Sequence, residues 1–215
     1  MLSQELAFAE RMGSLGLDDR DDLIVYDGSG NNLSAARVWW TFRVFGHRRV
    51  AVLDGGVGKW RREGRALEQG MVALPPGQFT ARLDRSAVRD LAEIRSNLST
   101  RRELVVDLRP AGRFAGREPE PRPGIRSGHL PGSLNLPFTG LVGPDGTILP
   151  EAELRRLLHA RGIDLSQPII ATCGSGTSAC TLLLAAELLG FHAVALYDGA
   201  WTEWGGRSDT PIETG

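Results

Sequence analysis

The chain has 215 residues, 25 lysines and arginines against 26 acids, a formal net charge of −1 and 41% hydrophobic residues, enough for one or two globular domains with a buried core. Near-neutral charge gives no general attraction to nucleic acid or anionic membrane, and no run approaches the roughly 18 apolar residues that cross a bilayer. Cys173 and Cys180 are too few and too close for a disulfide framework, and His47, His129, His159 and His192 are scattered; the expectation is a reducing cytoplasm, no metal and no cofactor.

In chain order, "MLSQELAFAERMG" places Glu5 and Glu10 where a secretory leader needs an unbroken apolar run, so secretion is not indicated and a helix is expected from about Gln4 to Leu15. Residues 24–60 then read as strand, glycine turn, helix, turn and strand. "EQGMVALPPGQ" (68–78), with its proline pair and glycines, is the expected linker. "ELVVDLR" (103–109) reads as a strand, followed by a loop rich in Pro and Arg, the strand-like "GSLNLP" (132–137), and a helix "PEAELRRLLHARG" (150–162) whose leucines share one face. Ile169 and Ile170 open a buried strand that ends in "CGSGTSA". A helix is expected from about Thr177 to Leu189, stopped by Gly190, and "AVALY" returns as a parallel strand through a right-handed crossover.

Residues 24–60 and 170–204 are an internal repeat. Asp27 falls on Cys173, an offset of 146; after the extra pair Asn31 and Asn32, Gly46 falls on Gly190 and Asp54 on Asp198, an offset of 144. The second copy ends a whole α/β domain, whereas only one helix precedes the first. The chain therefore divides into a partial, cysteine-lacking domain (1–67), a linker (68–78), a complete α/β domain (79–207) and a tail (208–215), the first domain lacking its opening strands and loops.

Three chemistries compete for the glycine turn. Gly174, Gly176 and Ala179 fit a dinucleotide GxGxxA with Asp198 as the ribose acid, but only 17 residues follow Asp198, leaving nothing to complete such a sheet. A phosphatase loop needs an arginine six positions after its cysteine to clamp phosphate; here that position is Ala179. The thiol reading fits better. Cys173 closes a strand, two glycines let backbone N–H groups turn inward as an anion nest, and the following helix adds positive potential. A cysteine so placed can ionise well below the free value of about 8.5. Cys180, inside the helix, reads as core packing.

"CGSGTSA" after a buried strand, "GHLPGSLNLPF" upstream, "YDGAWTEW" downstream and a degenerate first copy with Asp27 in place of the cysteine together resemble the tandem-domain rhodanese superfamily, most closely its 3-mercaptopyruvate sulfurtransferases. The resemblance implies a parallel sheet flanked by helices, an α/β fold, and sulfur transfer from 3-mercaptopyruvate, releasing pyruvate, to a thiol or cyanide through a persulfide on Cys173. It implies proton handling by Ser175 and Ser178, loop contacts from Gly174, Gly176 and Thr177, and binding of the donor carboxylate and carbonyl by Arg113 and Arg122. Thiosulfate-specific members resemble "CRKG" after the cysteine; Gly174 and Ser175 leave this loop neutral, which favours a donor whose carboxylate is held elsewhere. Thr177 and Ser178 replace the Val and Thr of the family's commonest loop.

Arg109 and Arg117 are expected to be structural or solvent-facing, His129 to shape a turn, and Trp201 and Trp204 to pack the corner after the last strand. The acceptor implied is a small thiol or a thioredoxin-like protein. Two alternatives stay open on sequence alone: thiosulfate as the donor, and a non-catalytic interaction module that binds a partner through the apolar surface and open edge of the partial domain; a homodimer through that domain is a further expectation.

Overall fold

The computed structural model describes residues 2–70 and 72–215; Met1 of the first domain and Met71 of the linker lie outside the described residues. Two parallel sheets result. Helix α1 (Glu5–Ser14), strand β1 (Leu23–Val25), α2 (Leu33–Val44), β2 (Val50–Val52) and α3 (Gly56–Arg62) build the first, two-stranded one. The second has five strands in the order β3-β7-β6-β4-β5, from β3 (Val88–Arg89), β4 (Leu104–Asp107), β5 (Leu134–Asn135), β6 (Ile169–Thr172) and β7 (Val194–Tyr197). Helices α4 (Leu91–Thr100), α5 (Ala111–Phe114), α6 (Glu151–Ala160), α7 (Ala179–Leu188) and α8 (Ala200–Gly205) connect or follow them.

The repeat is structural as well as sequential. Leu23 faces Val50 across β1 and β2, and the equivalent Ile169 faces Val194 across β6 and β7. Burial separates the copies. All four residues of β6 are buried, as a central parallel strand requires, whereas Ile24 in β1 is 67% exposed. Helix α7 is buried from Ala179 to Ala186 because its own sheet covers one side and α2 the other. Ala36, Trp39, Trp40, Phe42 and Val44 of α2 join α7 in one core. Arg43 on α2 pairs with Glu187 on α7 at 2.7 Å; the two hold the same place in the repeat, so the helices meet about a local pseudo-twofold axis.

Several boundaries move from the sequence expectation. Helix α7 starts at Ala179 rather than Thr177, because the carbonyls of Thr177 and Ser178 accept from the amides of Cys180 and Thr181 in a tighter first turn. Strand β4 ends at Asp107, whose carboxylate accepts the Arg109 amide at 2.9 Å and turns the chain out of the sheet. The end of the expected linker docks on the first segment: the Gly77 amide donates to Gly13 O and that of Gln78 to the Asp18 carboxylate. Phe79 follows it there, packing edge-on to Phe8 and Phe42. Residues 208–215, expected as a tail, are tied into the second sheet's domain instead, through a bridge between His129 and Glu213 and the Trp204 indole bound to Pro211 O at 2.8 Å.

Asp27 shows what the repeated turn holds. Its carboxylate accepts the amides of Ser29, Ser34 and Ala35 at 2.8–2.9 Å and the Ser29 hydroxyl at 2.6 Å. Burial would raise its pKa, but these hydrogen bonds outweigh that and hold it below the ordinary 3.8. A depressed folded-state pKa gives stability that is present above the unfolded value and lost as pH falls through the folded one. Asp27→Ala is expected to cost about 1 kcal/mol at pH 7, as for a lost helix cap. In urea titrations the deficit should shrink as the pH falls below 3.8; a deficit independent of pH would refute the anion-holding role.

Candidate active site

Cys173 follows β6 at the carboxyl end of the central strand, flanked by the loops that leave β4 and β7, where open parallel sheets place their ligand crevices. It is 1% exposed. Three carbonyls of the turn that it opens, those of Cys173, Gly174 and Gly176, are occupied. Cys173 O accepts the Trp201 amide at 2.8 Å; Gly174 O accepts the Thr202 amide and hydroxyl at 3.0 and 2.6 Å. Gly176 O accepts Arg37 Nη1 at 3.1 Å and the Cys180 thiol at 3.3 Å. A trans peptide points each N–H opposite to the preceding carbonyl. The amides of Gly174, Ser175 and Thr177 therefore face away from these anchors, and none of them donates to a protein acceptor among the described residues. Gly176 supports the turn with φ +79°, a conformation that costs a residue with a side chain 1–2 kcal/mol or so.

A cleft of about 360 Å³ opens over this loop, lined by Gly174, Ser175, Thr177 and Ser178 on one side and by Arg113, Arg122 and Phe138 on others. The expected residues thus converge, with two distinctions. Gly176 is buried behind the loop rather than in the cleft wall, and Cys173 lies beneath it. Ser175 is exposed and its hydroxyl lies 3.5 Å from that of Thr177. Arg113 approaches the loop so closely that a Cβ on Gly174 would meet its Nη2 at 3.0 Å. Arg122 donates to the Thr202 hydroxyl at 3.0 Å, and that hydroxyl donates in turn to Gly174 O.

Arg109 is structural, as its place directly after the strand implied. It is 1% exposed, forks onto Asp107, reaches Glu120 at 2.8 Å and Gly128 O at 2.8 Å, and lies 4.3 Å above the Trp201 ring. Arg117 is exposed. His129 stacks on Phe114 and bonds its carbonyl through Nδ1 at 2.8 Å, holding a turn. Trp201 and Trp204 are buried with Ile94, Leu130 and Tyr197. Burial pushes the Cys180 thiol pKa up, so it stays protonated and serves as a donor to Gly176 O. Among the described residues no three His, Cys, Asp or Glu side chains converge on a metal position, and no helix is long and apolar enough to cross a membrane.

A model of the rhodanese-like domain matches residues 2–63 and 90–207. The chain belongs to the rhodanese family. The rat 3-mercaptopyruvate sulfurtransferase is 45% identical over 205 residues, which cover 95% of this chain and 69% of that one. The Chinese hamster thiosulfate sulfurtransferase is 45% identical over 206 residues, with the same coverages. The crystal structure of SseA from Escherichia coli, a 3-mercaptopyruvate sulfotransferase, superposes with a TM-score of 0.84 at 40% identity, covering 94% of this chain and 74% of that one. The function of this rhodanese is sulfur transfer, from a sulfur donor to a thiol or cyanide acceptor.

Sequence reasoning missed four members of this rhodanese site. Glu120, 4% exposed, binds Arg109 and Arg113 together; it stands in the arginine-rich loop already singled out, and two acids, Glu118 and Glu120, among four arginines were the available signal. Thr202 anchors the loop from α8, and Leu33 and Arg37 reach the site from the first copy. Nothing local marks these three.

Proposed function

We propose that this protein takes sulfur from 3-mercaptopyruvate onto Cys173 and hands it to a thiol or cyanide. The Cys173 thiolate attacks the donor sulfur; an S–S bond forms, the C–S bond breaks, and its electron pair goes to the departing carbon, which takes a proton to become the methyl group of pyruvate. The acceptor then attacks the outer sulfur and releases the Cys173 thiolate. Ser175 and Ser178 line the cleft where that proton moves, and Arg113 and Arg122 are placed to fork onto the donor's carboxylate and carbonyl.

The observation that carries this reading is the first copy of the turn. There, amides of the repeated loop close on the Asp27 carboxylate. A carboxylate oxygen stands two bonds beyond Cβ, the same place as the outer sulfur of a cysteine persulfide. By the repeat's offsets those amides correspond to the amides of Ser175, Ser178 and Ala179, which are thus suited to hold a persulfide anion on Cys173; the Gly174 and Thr177 amides, turned away from the loop's anchors, add to them, and Gly176 serves the turn.

The donor is 3-mercaptopyruvate rather than thiosulfate because the loop itself bears no cation, while the arginines stand across the cleft. Faster cyanide-dependent turnover with 3-mercaptopyruvate is expected; faster turnover with thiosulfate would reverse the assignment. Arg122→Lys should raise KM for 3-mercaptopyruvate about tenfold with a smaller change in kcat, since a forked charge-assisted contact is lost. An unchanged KM removes Arg122 from the donor site.

The proposed setting is a reducing cytoplasm, with a small thiol or a thioredoxin-like protein as acceptor. The catalytic domain we assign runs from 79 to 207. The exposed edge of β1, with Ile24 67% exposed and Tyr26 just after the strand 61% exposed, is the surface for a homodimer, and a monomeric solution mass would remove that assignment.

A further inference from the structure

We infer that Arg37, a residue of the cysteine-lacking copy, is a positioning residue for the thiol loop of the other copy: it aims the Thr177 amide into the cleft. The inference rests on the reading of Cys173 as the sulfur carrier. Arg37 lies on α2, packed against α7, and its guanidinium makes three contacts at once. Nη1 donates to Gly176 O at 3.1 Å, Nη2 pairs with Asp198 Oδ1 at 2.8 Å, and Cζ stands 4.8 Å from the centroid of the buried Trp40 ring. The arginine and aspartate side chains are 18% and 10% exposed, so water screens the pair little.

Two rigid bodies fix this guanidinium. Trp40 lies on its own helix, and Asp198 follows β7, whose neighbour β6 carries Cys173. The fork of a planar guanidinium can hold both acceptors in one geometry, which an ammonium cannot. What it fixes is the peptide between Gly176 and Thr177. With the carbonyl held by Arg37 and by the Cys180 thiol, the Thr177 N–H has one direction left, away from α2. Gly176 has no Cβ to restrain this peptide, and a Cβ there would meet Nη1 at 3.1 Å. Without the arginine, a glycine-flanked peptide is free to flip its carbonyl towards the cleft, where it would repel an anion. The cysteine-lacking copy thereby contributes to the reaction without touching the reacting atoms.

The test compares Arg37→Met, Arg37→Lys and, as a control, Arg43→Met, which breaks the Arg43–Glu187 pair on the same two helices without reaching the loop. Turnover of 3-mercaptopyruvate and the spontaneous decay of the isolated Cys173 persulfide, followed by intact mass, are both measured. Arg37→Met is expected to lower kcat by about 10- to 100-fold, the scale of a misplaced catalytic group, with KM within about twofold, and to shorten persulfide lifetime; Arg37→Lys should recover part of both. Arg43→Met should match the wild type. If Arg37→Met does not fold, Arg37→Lys decides by the same split. Wild-type kcat and persulfide lifetime in the Arg37 variants overturn the inference while leaving the sulfur-carrier reading intact, as does an equal fall in Arg43→Met. A wild-type protein that takes no sulfur onto Cys173 overturns both.

Discussion

Cys173→Ala is expected to lose the sulfur adduct altogether. Wild-type protein incubated with 3-mercaptopyruvate should gain the mass of one sulfur atom, removable by excess thiol; the variant should gain none and turn over at least about 10³-fold more slowly, because removing a covalent nucleophile removes the pathway rather than tuning it. The substitution should fold. Cys173 is buried among apolar neighbours and exchanges one small side chain for another, so a lost adduct in a stable protein isolates the chemistry. Cys180→Ala serves as the companion: its thiol is protonated and turned to Gly176 O, so the adduct should persist. An adduct retained in Cys173→Ala and lost in Cys180→Ala would transfer the carrier role to Cys180.

The largest stability effect is expected at Asp107. Its carboxylate is fully buried and takes the Arg109 fork, with Nε at 3.0–3.1 Å and Nη2 at 2.6 Å. Glu120 completes the cluster, and its other oxygen holds Arg113 in the cleft. Removing one partner of a buried ion pair leaves a charge stranded, which costs about 3–5 kcal/mol, or roughly 6–20 °C in Tm for a protein of this size. Asp107→Ala should show that drop in thermal unfolding. A drop of only a degree or two would mean that Glu120 alone satisfies Arg109. The cluster also joins folding to function, because the carboxylate that neutralises a core arginine is the one that orients a cleft arginine.

What could be read from the sequence was what is local or repeated. The turn at Cys173, the strand before it and the return strand follow from apolar runs and glycines, and the repeat marked the same βαβ order in both copies. Arg113 and Arg122 share one cleft with the loop because a single connection carries both. The segments that escaped are those whose partners lie far along the chain. Arg37 meets Gly176 from 139 residues away, and no spacing announces it. The strap after Gly77 and the last eight residues have loop-like composition, yet backbone hydrogen bonds and a few side chains such as Phe79 and Thr210 fasten them down. Helix α7 lost its first two expected residues because a polar Thr-Ser pair serves the turn better than the helix.

The pair on the pseudo-twofold axis decides which helices may meet. Two α2 helices from separate molecules, set face to face in this way, would oppose Arg43 to Arg43, and two α7 helices Glu187 to Glu187. Only the mixed pair brings opposite charges to 2.7 Å. Like charges at a self-paired junction cost enough to reject the wrong arrangement. One arginine and one glutamate thus mark the two copies as unlike, so that each helix finds its own sibling and not its twin.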